Sequence, residues 1–441
     1  MSLQQIVFLI LFIAVVFLAY RSYGRIIKAI KLGKSYTAEG SNGQRWKNVF
    51  LVAFGQQKMF KRWIPAFLHL FIYVAFLFTQ IELVEIIIDG VSGHHRFFAD
   101  KIGSLYNVII NFIEILSVLA FVSTLIFLWR RNLLKIPRFV KPEMDGWPRL
   151  DANLILIGEI ILIVGIFSMN SADLALQNLA DSHYPDTGQL LISSLVFENL
   201  LQDMSQSSLI VMERFGWWLH LSVVFGFILY LPYSKHLHIL FAFPNVYFAS
   251  LKARGAIENM PVITNEVKSM MGLTDETGSE ITDELPEFGA KDVTDLSWKN
   301  ILDAYSCTEC GRCTSVCPAN LTGKKLSPRK ILMDIRDRST EIITQLDGSV
   351  KESDFDDGKS LFDYISEEEI FACTTCNACV EACPVMIDPL SPIIELRRYK
   401  LLTESKGPSE WMPMYNAIEN NGAVWQMPGQ RFDWANNLES N

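Results

Sequence analysis

The chain has 441 residues, half of them hydrophobic, and a formal net charge of −9. That length allows two or three domains, and the acidic balance offers no basic footprint for nucleic acid. The apolar residues are unevenly spread: the first 240 residues hold long uncharged runs and the last 200 do not.

A helix that crosses a bilayer needs about 20 mostly apolar residues. Five runs meet that length: Leu3–Tyr20, Trp63–Ile88, Leu105–Trp129, Leu150–Met169 and Leu209–Pro232. The first has no basic residue before it and no small-residue cleavage site, so it reads as a retained anchor rather than a signal peptide. Lysine and arginine number ten in residues 21–62 and six in 130–149, against two in 89–104 and none in 170–208. The positive-inside rule then puts the N-terminus outside and everything after the fifth run in the cytoplasm of a bacterial-type plasma membrane. Within the outer loop 170–208, Leu190–Leu201 reads as an amphipathic helix on the membrane.

Histidines at membrane depth point to a cofactor, since a buried imidazole without a partner is costly. His69 lies in the second run and His220 in the fifth, with His236 and His238 just beyond. Haem between facing helices takes one imidazole from each side. If the fifth helix continued past Pro232, His220 and His238 would share one face about 27 Å apart, with His236 turned away. His94, His95 and His183 read as loop surface. Glu82, Glu85, Glu114 and Glu159 fall in or near apolar runs and are either proton or quinone contacts or internally bonded carboxyls.

After Pro244 the chain turns polar. Residues 274–295 carry eight acidic side chains among Gly and Pro and read as a flexible linker. Short helices are expected over Trp298–Ser306, Pro328–Leu346 and Ser391–Glu404, with a solvent-exposed acidic insertion at Asp347–Lys359. All eight cysteines lie between Cys307 and Cys383. They form two copies of one spacing: Cys307, Cys310, Cys313, Cys317, then Cys373, Cys376, Cys379, Cys383, each followed by proline. This C-x2-C-x2-C-x3-C-P run is the ferredoxin pattern for [4Fe-4S] clusters, in which each fourth cysteine ligates the other cluster. One cluster therefore takes Cys307, Cys310, Cys313 and Cys383, and the other Cys373, Cys376, Cys379 and Cys317. Zinc sites and disulfides fit this repeat poorly. The tail, 405–441, is aromatic and reads as packed on a partner.

The stretches RWIPAFLH, FGWWLH and LPYSKHLHIL resemble the haem-binding helices of the five-helix b-type cytochrome subunit of respiratory nitrate reductase. The stretches CTECGRCTSVCP and FACTTCNACVEACP, with a downstream LRR, resemble the iron-sulfur part of the D-type subunit of heterodisulfide reductase. The resemblance implies a mostly α protein: a five-helix transmembrane bundle (1–245), a linker (246–297), a small cytoplasmic ferredoxin-type domain with two [4Fe-4S] clusters (298–404) and a docking tail (405–441). It also implies haem b between His69 and His238. Thr79 stands where the cytochrome would supply a second-haem histidine, so one haem is expected, and His220 would be a bundle residue or a quinone contact. The CCG cysteine repeats of the heterodisulfide reductase family have no counterpart after Cys383, so the resemblance implies a separate cytoplasmic CCG-type iron-sulfur partner. The expected function is electron transfer between quinone, haem and clusters. A relay without its own quinone site and a cluster-based redox sensor are the alternatives.

Overall fold

The structure, a computed structural model, describes residues 2–179, 184, 186–273, 288–346, 355–425 and 433–436. The main helices are α1 (Leu3–Ile30), α2 (Trp63–Ser92), α3 (Ser104–Asn132), α4 (Trp147–Asn178), α5 (Gln206–Tyr230), α6 (His238–Tyr247), α7 (Trp298–Tyr305), α8 (Pro328–Leu346) and α9 (Leu390–Arg398). Among the described residues there is no strand, only one backbone bridge between Lys34 and Ser297. Helices α1 to α5 are each long and apolar enough to cross a membrane. The chain is a membrane protein built from a five-helix bundle and a C-terminal ferredoxin-type domain.

Helices α4 and α5 pack most closely, and small residues explain why. A Cβ on Gly216 would stand 2.6 Å from Met169 N and 2.8 Å from Gly165 O. Without a hydrophobic drive between helices in lipid, such close backbone approach supplies the packing energy. Helix α1 is the outlier in the bundle. Its apolar side chains mostly face outward, and Phe8 anchors it against Trp217 and Phe225, with ring centroids 5.9 and 6.4 Å away. Gly90 on α2 leaves room for that ring, since a Cβ there would lie 2.8 Å from it.

The C-terminal third of α1 runs beyond the expected span and becomes part of the cluster domain. Ile26, Ala29 and Ile30 share a buried core with Leu296, Ile301, Ile331 and Ile335. Lys34 N–H donates to Leu296 O at 2.7 Å and Trp298 N–H to Lys34 O at 3.0 Å. The last residues of the acidic stretch are thus ordered against α1, while residues 274–287 lie outside the described residues. Asp292, from that stretch, and Asp357, from the acidic insertion, converge on buried Arg338 at 2.7 and 2.6 Å. Residues 347–354 of the insertion lie outside the described residues. At Asp357 it is bound rather than solvated.

Two helix expectations change. Helix α5 ends at Tyr230 and gives way to short 3-10 turns at Leu231–Tyr233 and Lys235–Leu237 before α6 starts at His238. Pro232 cannot continue a helical ladder, so the straight five-turn span between His220 and His238 does not form. The expected amphipathic helix is a single helix, Leu191–Val196, running into a π-turn over Phe197–Leu201. Its first N–H groups are held by Glu114 on α3, Ile192 N–H at 3.0 Å. In the tail, Trp411 packs edge-on against Phe371 at 5.4 Å, whereas Trp425 is exposed.

Replacing Gly216 by valine should overpack the α4–α5 contact and cost about 1–3 kcal/mol, read as a lowered thermal unfolding midpoint in lipid nanodiscs.

Candidate iron-sulfur and haem sites

The two cysteine loops share one pattern of positive φ around the second cysteine. In each, the residue before the second cysteine is left-handed, Glu309 at φ 52° and Thr375 at φ 53°, as is the residue after it, Gly311 at φ 68° and Asn377 at φ 60°. This winding turns backbone N–H groups toward sulfur: Glu309 N–H points to Cys307 Sγ and Thr375 N–H to Cys373 Sγ, both at 3.4 Å. Each fourth cysteine is extended, Cys317 and Cys383, with the following proline opening a turn. A Cβ on Gly311 would lie 2.5 Å from Arg329 Nη1, so a larger residue there would displace that guanidinium.

Tertiary structure brings cysteines of both runs near one another. Cys307, Cys310 and Cys313 line one cavity together with Cys383. Cys373 senses the charge of Cys317 and Cys376, and Cys379 that of Cys373 and Cys317. Burial pushes the Cys307 thiol up to about 12, with Cys310 and Cys383 adding to it; it likewise pushes Cys383 up to about 11. Iron binding to such thiols must release their protons. Among the described residues no group of three or more His, Cys, Asp or Glu side chains converges closely enough for one metal ion. Cubane thiolates reach separate irons and stand wider apart than the ligands of one zinc.

Basic side chains from the bundle loops surround this region. Arg312 lies near enough to Cys310 and Cys383 for their charges to act on it, and Arg62 donates to Ser315 Oγ at 2.8 Å. Arg329, fully buried, pairs with Glu143 of the loop before α4 at 2.6 Å. Lys235 forms an ion pair with Glu309, which Arg336 also holds at 2.7 Å. Burial acts to raise the Glu309 carboxyl, but Lys235 and Arg336 outweigh it and hold it below the usual range. These contacts seat the first cysteine loop against the end of the bundle where His69 and His238 lie.

His69 stands within the first two turns of α2, and its Nδ1 meets Gln56 Oε1 at 3.1 Å. Gln56 is buried and left-handed, φ 51°, a strained conformation held by its surroundings. His238 opens α6, and its Nδ1 meets Lys235 O at 3.1 Å. Both rings therefore donate through Nδ1 and keep the Nε2 lone pair, the tautomer a metal-ligating histidine requires. His69 lies near enough to His238 and Arg312 for their charges to act on it. Burial holds His238 below the ordinary imidazole value, hence neutral at neutral pH. These residues fit an axial pair for haem b, which would supply one-electron redox chemistry.

His220 is set apart. It packs on α4, with Nδ1 3.4 Å from Leu162 O, and no second histidine faces it among the described residues. His236 proves closer than helix periodicity allows. The 3-10 turn brings its ring to 5.5 Å from that of His238, and its buried Nδ1 has no hydrogen-bond partner. Among the loop histidines, His94 is exposed and His183 lies outside the described residues. His95 is not surface as expected: its side chain is 7% exposed and meets Asp173 at 3.0 Å. Glu159 accepts from Thr124 at 3.0 Å. Sequence reading missed Gln56, Lys235 and Glu309; only the position of Lys235 beside His236 and of Glu309 inside the cysteine loop hinted at them.

Residues 306–387 match the family model of the 4Fe-4S dicluster domain. That match decides the chemistry of the cysteine region. Over 425 residues the chain is 28% identical to a probable iron-sulfur-binding oxidoreductase, FadF, of Bacillus subtilis, covering 90% of this chain and 55% of that protein. It is 24% identical over 405 residues to the EtfAB:quinone oxidoreductase of Syntrophomonas wolfei, covering 87% of this chain and 52% of that one. A 98-residue part, 22% of the chain, is 32% identical to a subunit of the ferredoxin:CoB-CoM heterodisulfide reductase of Methanosarcina mazei, covering 46% of that subunit. The chain spans about half the length of the first two relatives. No solved structure matches. The chain carries a 4Fe-4S dicluster domain behind five helices long and apolar enough to cross a membrane.

Cys317→Ser should damage the cluster of Cys373, Cys376 and Cys379 and spare that of its sequence neighbours. EPR of the reduced protein, with iron content falling from about eight per chain, reads the outcome.

Proposed function

We propose that the chain passes electrons between the quinone pool, a haem b ligated by His69 and His238, and two [4Fe-4S] clusters held by the crossed cysteine sets. Electrons then exchange with a CCG-type iron-sulfur partner on the cytoplasmic side. The observation that carries the proposal is the pair of imidazoles with engaged Nδ1 and available Nε2, packed through Lys235 against the first cysteine loop. Buried axial ligands and N–H groups directed at sulfur are the protein's means of setting redox potentials. The quinone assignment is supported by the likeness to the EtfAB:quinone oxidoreductase of Syntrophomonas. The partner assignment is supported by the heterodisulfide reductase likeness and by exposed Ile418, Val424 and Trp425 in the tail. The N-terminus-outside orientation is supported by the loop lysines and arginines.

A pyridine haemochrome assay on the purified protein should give one haem b per chain. His69→Ala and His238→Ala should each lose it and His220→Ala keep it; two haems per chain, or loss in His220→Ala alone, would overturn the assignment. A quinol should reduce the clusters of the native protein, followed by EPR, and fail to do so in the haem-free variants. Deleting 405–441 should release the partner from membranes while both clusters stay.

A further inference from the structure

The end of the bundle remote from the cluster domain holds a buried charge network that the electron path does not use. At its centre is Arg96, 4% exposed. Its guanidinium donates to Asp173 Oδ2 at 2.8 Å, Asn170 Oδ1 at 2.6 Å and the Tyr106 hydroxyl at 3.2 Å. The neighbouring carboxyls are satisfied. Glu85 accepts from Phe98 N–H at 2.8 Å and Tyr106 OH at 2.6 Å. Asp89 accepts from Arg96 N–H at 2.9 Å and Phe97 N–H at 3.1 Å. Glu114 is taken up by Ser193 and the helix start at Ile192.

Glu82 is the exception. It is 2% exposed, and neither carboxyl oxygen has a hydrogen-bond partner. Arg96 comes no nearer than 3.8 Å. The Asn170 amide comes near the Glu82 carboxyl, and its Nδ2 is likewise without a partner. Glu85 and Glu114 add negative charge around it. From α5 the charged groups on this side are Glu213 and Arg214, which pair with each other at 2.7 Å. Arg96 offsets part of the negative charge at Glu82, but a carboxylate without a hydrogen bond in a dry setting is costly, and binding a proton removes the charge.

Arg96, 3.8 Å from Glu82, holds Asp173 at 2.8 Å, and from Asp173 polar groups continue outward. His95 Nε2 meets Asp173 Oδ1 at 3.0 Å, and His95 Nδ1 lies 3.4 Å from Arg214 Nη2. The His95 ring then borders a cavity of about 340 Å³ shared with Gln5, Asp89, His94 and Arg214. We propose that Glu82 is a proton-binding site of the bundle, exchanging its proton with the remote face through Asp173 and His95. Its use in turnover rests on the proposed quinone chemistry. A quinol oxidised in the bundle gives up a pair of electrons, which leave toward the clusters, and a pair of protons; Glu82 takes one and hands it to the remote face, and the other passes to bulk water.

The test is infrared difference spectroscopy, acid minus alkaline, on the full chain with its cofactors in nanodiscs. The native protein should show the carbonyl stretch of a buried protonated carboxylic acid, shifted in D2O. The band should vanish in Glu82→Gln and persist in Glu159→Gln. Absence of the band in the native protein, or its survival in Glu82→Gln, overturns the proposal. In His95→Phe the band should remain while its exchange in D2O slows; unchanged exchange overturns the route. If a quinol does not reduce the clusters in the same samples, the functional reading fails, while the infrared arm still decides the proton site.

Discussion

The arrangement depends on one buried ion pair, Lys235 with Glu309. Their side chains are 6% and 3% exposed. Lys235 also donates to Pro148 O at 2.5 Å and lies 3.8 Å from Asp151, while Glu309 is shared with Arg336. A buried pair of this kind adds little net stability, because desolvation offsets the attraction, but it strongly penalises any register that separates the charges. Lys235 directly precedes His236, and Glu309 directly precedes Cys310. The pair therefore fixes the bundle histidines and the first cysteine loop in one frame.

Around that contact the two halves of the molecule interpenetrate rather than hang from a tether. Helix α1 runs out of the bundle into the core of the cluster domain, and Arg329 reaches back to Glu143. Lys299 completes the join from α7, meeting Asn245 at the end of α6 at 3.0 Å, while Asn245 in turn bonds Val385 O beside Cys383 at 3.0 Å. Electron transfer between cofactors needs short, rigid separations, and a shared core provides rigidity that a flexible linker cannot.

The buried polar groups divide by end. Near the clusters they are basic and paired, countering the negative charge that thiolate-ligated clusters bring. At the remote end they are acidic, gathered on Arg96, with Glu82 left over. An electron carrier and a proton carrier placed at opposite ends of one bundle would separate charge across the membrane.

The five spans were legible because hydrocarbon demands length and apolarity regardless of packing, and the 4Fe-4S character of the cysteine region was legible because cubane chemistry dictates cysteine spacing. The place of His69 inside the second span was legible for the same kind of reason. What the tertiary structure decided lies where short-range periodicity stops. Pro232 ends α5, so the relation of His238 and His236 comes from a pair of 3-10 turns that helical spacing does not describe. The fates of Arg96, His95 and Asp292 were not legible either, because loop charges look solvated until distant elements close over them. Only folding brings Asp173 to Arg96 and Glu309 to Lys235, and those long-range pairs decide which charges are buried.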